Sequence, residues 1–431
     1  MAVSPRFRRK TPCCDNGLAG KLGYFEEDIM TALASTTSHT DLPKYFPQMF
    51  EKFQSIERGQ ITITLPDGHQ FCAQGSQSGP VGHLNVTNDQ LFTRVVREGN
   101  LGFAEAYLDG WWNTPDLQAF MDVLVANMAS ISQPVPGSSL VRWYEVFRHW
   151  LLLNTQKQAP KNLAKHYELG NSFYGAWLDE TMSYSSGIFE NPHEDLEIAQ
   201  RRKIKRMCDS INLKEEDRFM DIGCGWGALA IYAAKERGAK VTALTLSKAH
   251  FEHTSALVQK EGLSERVEVA LRDYRDETGT YEGIGSIEMI EHVGEKYWPV
   301  YFKSIHDRLS DNGRATVQAI TIADDLYPTY RTTQDFIRKH IFPGGMLPYD
   351  RGIREMANAS GLKIVDCLSF PDSYSITLRR WNQAFDDAWS EIESMAFDQR
   401  FKRLWNYYLT MCAAGHEYGA TSVTQYTFAR V

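Results

Sequence analysis

From about residue 200 to residue 322 the chain alternates strand patterns with helix patterns, and this alternation limits its fold more than any other feature. Apolar runs such as RFMDIG, AKVTALTLS, VEVALRDY, IGSIEMI and GRATVQAITI predict strands, and amphipathic stretches such as KAHFEHTSALVQKEGL predict helices between them. Strands that alternate with helices form βαβ units and a parallel sheet. Ligands of such sheets bind beyond the carboxyl ends of the strands, so we expect the functional site there.

The strand RFMDIG runs into a glycine-rich turn, FMDIGCGWGALA, at residues 219–230. Gly223, Gly225 and Ala228 satisfy the G-x-G-x-x-A pattern of dinucleotide-binding turns, which has low specificity on its own. A nicotinamide site also needs a carboxylate near the end of the second strand, and that strand ends in LTLSKAH without one. Lys248 could hold a 2′-phosphate instead, which leaves an NADP-dependent oxidoreductase as an alternative.

Two features favour a ligand without a pyrophosphate. Asp221 lies inside the strand end, where a buried carboxylate suits a ligand cation better than a phosphate. Gly227 adds a third glycine, and a G-x-G-x-G turn lets the backbone approach a flat nucleoside and amino-acid ligand closely. Three glycines and an acid within seven residues make a tight turn without any ligand the less favoured interpretation.

The chain of 431 residues is long enough for two domains. The hairpin pattern QITITLPDGHQFCAQG and the later Pro- and Gly-containing segment SQPVPGSS mark the divisions. We predict a loosely ordered tail at 1–44, a small α+β domain at 45–131, a linker and aromatic helix at 132–160, and a catalytic domain at 161–431.

Charge and composition exclude several functions. The net charge of −8 argues against a general nucleic-acid binder, and seven cysteines without metal-ligand spacing indicate a reducing, cytoplasmic setting. Glu288, Glu291 and His292 resemble one metal-ligand cluster, but no second cluster accompanies it, so no metal is expected. No apolar run approaches membrane-spanning length, so lipid contact would be at the surface. The basic run RRKIKR at 201–206 is interpreted as a solvated helix face.

Motifs spread over most of the chain resemble those of the cyclopropane-fatty-acid synthase and mycolic-acid cyclopropane synthase family of S-adenosylmethionine (SAM) methyltransferases. They are AKHYELGNSFYGAWLDETMSYSSGIF, DIGCGWG, LTLSKAH, IEMIEHVG, KHIFPGGMLP, RFKRLWNYYLTMCAAG and, in the N-terminal part, GNLGFAEAYLDGWW. The resemblance covers roughly residues 45–431. It implies an α/β, Rossmann-like class I SAM methyltransferase domain with a mostly parallel seven-stranded sheet, and a smaller N-terminal α+β domain of the lipid-binding type.

The resemblance implies SAM as cofactor and assigns residues to it. The corresponding positions are Tyr184, Ser185, Asp221, Gly223, Gly225, Gly227, Thr245, Leu246, His250, Tyr274 and Arg275. His250 stands where the family commonly has glutamine. Tyr274 offers an aromatic face on which an adenine can stack.

In the family, a glutamate and a bound bicarbonate ion share the chemistry. The resemblance places this work on Glu291, Ser186, Gln318, Ile320 and Tyr374. Ser186 and Gln318 stand where the family has cysteine and histidine. Serine and glutamine can hydrogen-bond an anion, but a glutamine cannot carry the charge that a histidine can. Bicarbonate as a second cofactor is therefore left open.

The predicted reaction is methyl transfer from SAM to a double bond in an unsaturated acyl chain of a membrane phospholipid. The methylated chain becomes a carbocation, so the site must stabilise positive charge, exclude water and remove a proton. Removal of one proton closes a cyclopropane, and removal of another gives a methyl-branched unsaturated chain, the type of precursor from which furan fatty acids are made. The changes at residues 186 and 318 favour the branched product.

Several alternatives stay open beside this prediction. They are a cyclopropane synthase proper, a methyltransferase acting on nitrogen or oxygen of a small molecule, the NADP-dependent oxidoreductase, and a lipid-binding protein without catalysis. We expect a cytoplasmic protein that associates peripherally with the inner membrane surface and binds no nucleic acid. The family's tendency to dimerise gives a homodimer as the expected assembly.

Overall fold

A computed structural model describes residues 42–131 and 169–431 of the chain. Nearly all of the predicted tail, and the predicted linker with its aromatic helix, lie outside these residues. From Lys44 to Val431 the chain forms one compact unit that contains two sheets. The domain boundaries drawn from the sequence stay a prediction.

The first sheet has four strands in the order β2-β1-β3-β4 and is covered by helices of the N-terminal part. Its elements are α1 (Phe46–Gln54), β1 (Arg58–Thr64), β2 (Gln70–Gln74), β3 (Gln77–Val86), α2 (Gln90–Leu108), β4 (Trp112–Asn113), α3 (Leu117–Ala126) and α4 (Met128–Ile131). Strands β1 and β2 pair antiparallel with Thr64 opposite Gln70, which confirms the predicted hairpin. Helix α2 contains a kink at Gly99, whose φ is 61°.

The second sheet has seven strands in the order β10-β11-β9-β8-β5-β6-β7. Its elements are α5 (Asn171–Gly175), α6 (Leu196–Ile211), β5 (Arg218–Ile222), α7 (Ala228–Arg237), β6 (Lys240–Thr245), α8 (Lys248–Lys260), β7 (Val267–Leu271), β8 (Tyr281–Ile287), α9 (Trp298–Arg308), β9 (Leu309–Ile322), α10 (Tyr327–Thr332), α11 (Phe336–His340), α12 (Asp350–Ala359), β10 (Leu362–Ser369), α13 (Pro371–Asp387), α14 (Trp389–Ser394), α15 (Gln399–Glu417) and β11 (Thr421–Arg430). Strands β5 to β9 pair in parallel, and β11 pairs antiparallel with both β9 and β10.

The mostly parallel sheet predicted from the alternation of strands and helices is thus present. Crossover helices follow the strands: Ser247 caps α8 by accepting a hydrogen bond from the amide of His250, so the second strand passes directly into its helix. This arrangement brings the ends of β5, β6 and β8 to one edge of the sheet, where polar side chains can converge.

Helix α15 joins the two sheet regions. It packs against α13 of the C-terminal part and against α2 and α3 of the N-terminal part. Its aromatic residues Trp405, Tyr407 and Tyr408 are buried, so this segment belongs to the core. Among the described residues, no helix combines the length and apolarity needed to cross a bilayer.

Candidate active site

A cavity lies at the carboxyl ends of β5, β6 and β8, in the position expected from a parallel sheet. Ten of the eleven residues predicted to bind the cofactor line it: Tyr184, Ser185, Asp221, Gly223, Gly225, Thr245, Leu246, His250, Tyr274 and Arg275. Gly227 does not line the cavity; it is the residue from which α7 starts. The structure therefore brings together residues from four separated segments of the chain.

The glycine turn is fixed to the neighbouring strand. The amides of Gly223 and Cys224 both donate to the carbonyl oxygen of Leu244, at 3.0 and 2.9 Å. Gly223 has a φ of 81°, and a Cβ built on it would lie 2.8 Å from Cγ of Met289. A side chain at this position would thus collide with the segment after β8, and the turn needs glycine there. Gly225 lines the cavity, so its backbone is available to a ligand.

Asp221 is the polar group at the base of this turn. It is 2% exposed, and its Oδ2 has no hydrogen-bond partner among the described residues. Burial raises the pKa of this carboxyl to about 7. A buried, unpartnered carboxylate oxygen needs a donor or a cation, and SAM carries both an ammonium group and a sulfonium. The donor set of this cavity thus fits SAM, which Asp221 and the glycine backbone could hold.

Aromatic rings and a neutral histidine also line the cavity. The ring centroids of Trp226 and His250 lie 4.4 Å apart, and Tyr274 lies after β7 on the same cavity. Burial lowers the pKa of His250 to about 4, so this ring is neutral at pH 7. A neutral imidazole offers one donor and one acceptor, as a glutamine side chain does. His250 can therefore serve the cofactor in the place where the family commonly has glutamine.

Glu288 lies at the inner end of the cavity and was considered in the sequence only as a metal ligand. Its Oε1 accepts hydrogen bonds from the amide of Ser186 at 3.0 Å and from Nε2 of Gln318 at 2.8 Å, and its Oε2 accepts from the hydroxyl of Tyr374 at 2.6 Å. Three of the five predicted catalytic residues thus contact this one carboxylate. Ser186 does so through its backbone amide, while its hydroxyl donates to the carbonyl of Gly187.

The amide of Gln318 is oriented by a chain of hydrogen bonds. Nε2 of Gln425 donates to Oε1 of Gln318 at 3.0 Å, and Oε1 of Gln425 accepts from Arg206 at 2.8 Å. Because Oε1 of Gln318 is held by a donor, its NH₂ group points to Glu288. Both glutamines are fully buried, so this orientation is fixed by packing as well.

Lys203 is an exception within the basic run at 201–206, which the sequence predicts to be a solvated face and in which Arg201 and Lys205 are exposed. Its side chain is completely buried and donates to Oγ of Ser185 at 2.7 Å and to Oε1 of Gln200 at 2.6 Å. Burial lowers the pKa of Lys203 to about 8, although the nearby carboxylates Glu288 and Asp179 oppose this shift. Lys203 lies on the buried face of α6, and it lines the cavity.

Glu291, which the sequence puts at the centre of the chemistry, lies behind the cavity wall. Its Oε1 accepts from the amide of Ile320 at 2.6 Å, and its buried Oε2 has no partner among the described residues. Burial and the neighbouring charge of Glu288 raise the pKa of Glu291 to about 8. Of the two acids in IEMIEHVG, only Glu288 lines the cavity. Its place directly after the end of β8 was the signal in the sequence that pointed to it.

The described residues contain no group of three His, Cys, Asp or Glu side chains arranged to hold a metal ion. The carboxylates of the segment after β8 instead meet neutral donors, as described above. The site is thus a cavity whose lining combines the glycine turn and buried carboxyl of Asp221 with the hydrogen-bonded carboxylate of Glu288.

Comparison with known proteins gives concordant matches. Residues 154–426 match the family described as mycolic acid cyclopropane synthetase. The tuberculostearic acid methyltransferase UfaA1 of Mycobacterium tuberculosis is 36% identical over 79% of this chain and 82% of that protein. The cyclopropane-fatty-acyl-phospholipid synthase of Escherichia coli K12 is 33% identical over 80% of this chain and 87% of that protein. The crystal structure of mycolic acid cyclopropane synthase CmaA1 with SAH and CTAB has a TM-score of 0.59 and 28% identity, covering 62% of this chain and 97% of that one.

Proposed function

Because this chain belongs to the mycolic acid cyclopropane synthetase family and is a SAM-dependent methyltransferase, we propose that it methylates a double bond in an unsaturated phospholipid acyl chain and releases a methyl-branched unsaturated product. The family contains SAM-dependent lipid methyltransferases and cyclopropane synthases. Membership confirms the resemblance seen in the sequence and the predicted class I SAM methyltransferase fold. The NADP-dependent alternative is wrong; Lys248 pairs with Glu252 on the surface of α8.

The observation that carries the proposal is that one cavity joins the glycine turn to the carboxylate of Glu288. Asp221 and Gly225 of the turn line this cavity together with Glu288 and Phe342. Methylation of an isolated alkene needs both groups within one enclosed space, because the cation that forms reacts with water and must lose a proton. A transferase acting on nitrogen or oxygen would instead need its base next to a polar substrate pocket.

Each part of the cavity has a role in this reaction. Bound SAM supplies an electrophilic methyl group. Asp221 and the backbone of Gly223 and Gly225 would hold and orient it, and the rings of Tyr184 and Phe342 would exclude water from the acyl chain. Aromatic faces also stabilise a nearby positive charge, by roughly 2 kcal/mol where water is excluded. A carboxylate that lines the cavity then accepts the proton.

The branched product is proposed over the cyclopropane because the predicted bicarbonate contacts are already used within the protein. Ser186, Gln318 and Tyr374 all donate to Glu288. A base held at a different place removes a different proton from the same cation. The mycobacterial relative, named as a methyltransferase, supports this choice. Cyclopropane synthesis is the second candidate, supported by the relative from Escherichia coli and by Ile320 and Tyr374, which keep the family pattern.

The substrate class also suggests where the protein works. A phospholipid acyl chain is reached from the membrane surface, so we include peripheral association with the cytoplasmic side of the inner membrane in the proposal. A homodimer is proposed on the family resemblance. The described surface has few large apolar side chains exposed, among them Ile198 and Leu271.

The proposal is tested with vesicles of unsaturated phospholipid and SAM that carries a trideuterated methyl group. A methyl-branched product keeps all three deuterium atoms, whereas a cyclopropane keeps two, because ring closure removes one of them. Mass spectrometry of the released fatty acids separates the two outcomes although the unlabelled products are isomers. We expect acyl chains with three deuterium atoms. Chains with only two would contradict the branched product, and unlabelled lipid would contradict lipid methylation altogether.

A further inference from the structure

We propose that Glu288 is a catalytic residue, the base that removes the proton from the methylated chain, and that its carboxylate replaces a bound bicarbonate ion in this protein. This inference rests on the proposed function and adds to it the identity of the base. It assigns the removal of the proton to Glu288, whose carboxylate lines the cavity. The family resemblance instead assigns this work to Glu291 and a bound bicarbonate ion.

The first support is the set of donors around the carboxylate. A bicarbonate ion held by this chain would need hydrogen-bond donors from the segments of Ser186, Gln318 and Tyr374. The corresponding donors, one amide N–H, one side-chain NH₂ and one hydroxyl, all point to Glu288 at 2.6–3.0 Å. A second anion in the same cradle would lie against a carboxylate without a donor between them. The cradle is therefore built for an anion, and the protein supplies that anion covalently.

The second support is the backbone at residue 288. Glu288 has a φ of 49°, in the left-handed region that costs a non-glycine residue roughly 1 kcal/mol or more. Its amide donates to the carbonyl oxygen of Gln318 at 2.8 Å, which holds the turn in this conformation. The turn re-aims the first side chain after β8 toward the cradle. Strain kept at a residue whose side chain lines a cavity is typical of functional positions.

The third support is the contrast with Glu291. Glu291 accepts a hydrogen bond from the amide of Ile320 and is not among the residues that line the cavity. Burial raises the pKa of Glu288, and the charge of Lys203 and three hydrogen-bond donors oppose this shift. Burial and the charge of Glu288 raise the pKa of Glu291 to about 8, and Glu291 has a single hydrogen-bond donor. Of the two carboxyls, the one with more donors is the one that lines the cavity.

The proton-transfer step balances with this residue alone. In the methylated chain, a carbon next to the cationic carbon loses a proton to a carboxylate oxygen of Glu288. The electron pair of that C–H bond becomes the new C=C bond, which neutralises the cation. The carboxylate becomes a carboxylic acid and returns its proton to solvent after product release. No oxidant, reductant or external anion takes part.

The experiment compares the full-length wild type with Glu288→Gln and Glu288→Gly, in buffers freed of carbon dioxide and in buffers with added bicarbonate. Wild type should transfer methyl groups at the same rate in both. Glu288→Gln should lose about 100-fold or more of the rate, as expected for loss of a general base, and bicarbonate should not restore it. Glycine tolerates the left-handed backbone and empties the cradle, so bicarbonate should restore part of the activity of Glu288→Gly.

Two further measurements keep the test independent of turnover. SAH binding by calorimetry should be unchanged in both variants, and bicarbonate should raise the melting temperature of Glu288→Gly but not that of wild type. Glu391→Gln, at an exposed glutamate, is the matched control and should behave as wild type. Bicarbonate dependence of wild type, or normal rates in Glu288→Gln, would overturn the inference while leaving lipid methylation intact. A wild type that methylates no lipid under either condition would overturn both.

Discussion

Glu105 and Glu288 are two enclosed glutamates, each with three hydrogen-bond donors, and they differ in the charge of those donors. Glu105, on α2, accepts from Lys339, His340 and Arg94. Glu288 accepts from an amide, a side-chain NH₂ and a phenol, all neutral. The first lies where the N-terminal part meets α11, and the second lies at the end of the cavity.

The two carboxyls differ in pKa accordingly. The hydrogen bond from His340, with that from Lys339, lowers the pKa of Glu105 to about 2. Burial raises the pKa of Glu288 above its usual value, because three neutral donors and Lys203 offset only part of the desolvation. With the same number of donors, Glu105 is a carboxylate that stays ionised at neutral pH and stabilises the fold, and Glu288 is a carboxylate that can accept a proton. A base must be able to take a proton, so the neutral cradle suits catalysis and the cationic one does not.

The largest effect beyond the Glu288 variants is expected when the neutral cradle is weakened. Tyr374→Phe removes the hydroxyl that donates to Oε2 of Glu288. A hydrogen bond to a charged group contributes about 1.5–3 kcal/mol, so kcat should fall roughly 10- to 100-fold. Loss of a donor raises the pKa of Glu288 further, so the acidic limb of the pH–rate profile should move to higher pH. Lys203 and Glu291 are the other titratable groups beside it and are unchanged.

Tyr426→Phe is the matched control for this variant. Tyr426, on β11, is also buried and also donates to a carboxylate, Asp350, at 2.7 Å, but it is not a cavity residue. We expect it to lose stability without a change in kcat or in the pH–rate profile. An equal loss of kcat in both variants would show that the effect of Tyr374→Phe is structural.

The regions also differ in how far the sequence could predict them. The glycine turn, the strand ends and ten of the cavity-lining residues are encoded in short segments whose pattern specifies their own geometry, as in DIGCGWG. The hairpin at β1 and β2 was predictable for the same reason, because Pro66, Asp67 and Gly68 define a local turn.

The carboxylate cradle could not be predicted in this way, because its parts are far apart in sequence. Ser186, Gln318 and Tyr374 lie 102, 30 and 86 residues from Glu288. Family resemblance assigned the three donors but left open what they hold. The burial of Lys203 was missed for a related reason. The four other basic residues of RRKIKR suggested a solvated face, and only tertiary packing shows that one lysine points inward.

A smaller effect, on stability, is expected when the cationic cradle is broken. Glu105→Gln removes the charge that faces Lys339, His340 and Arg94. The pKa of Glu105 falls from 4.5 to about 2 on folding, so the ionised carboxylate stabilises the protein by about 2–3 kcal/mol at pH 7. Denaturant unfolding at pH 7 should show this loss in the variant. Helix α11 ends two residues before Phe342, which lines the cavity. The loss of stability in Glu105→Gln should therefore be accompanied by a modest rise in KM.

The pH dependence gives this prediction a sign. A depressed pKa contributes stability above the unfolded value and loses it as the pH falls through the folded value. The difference between wild type and Glu105→Gln should therefore be constant above about pH 5 and shrink steadily from pH 4.5 towards pH 2. A difference that does not change over this range would mean that the ion cluster contributes packing alone.

The smallest effect is expected at Asp122, which tests whether a cationic partner is enough to create an anchor. Both carboxylate oxygens of Asp122 lie 3.1 Å from Arg379, and Gln118 donates at 2.9 Å, yet burial raises the pKa of this carboxyl. The ionised form therefore costs stability, and Asp122→Asn should change the free energy of unfolding at pH 7 by less than about 1 kcal/mol.

A raised pKa contributes stability below the unfolded value, 3.8, and loses it as the pH rises through the folded value. The free energy of unfolding of wild type should therefore rise relative to that of Asp122→Asn as the pH is lowered towards 4. For Glu105→Gln, the stability of wild type relative to the variant should fall over the same change in pH. A loss as large as that of Glu105→Gln would show that one arginine suffices, and that the number of cations around Glu105 does not explain its low pKa.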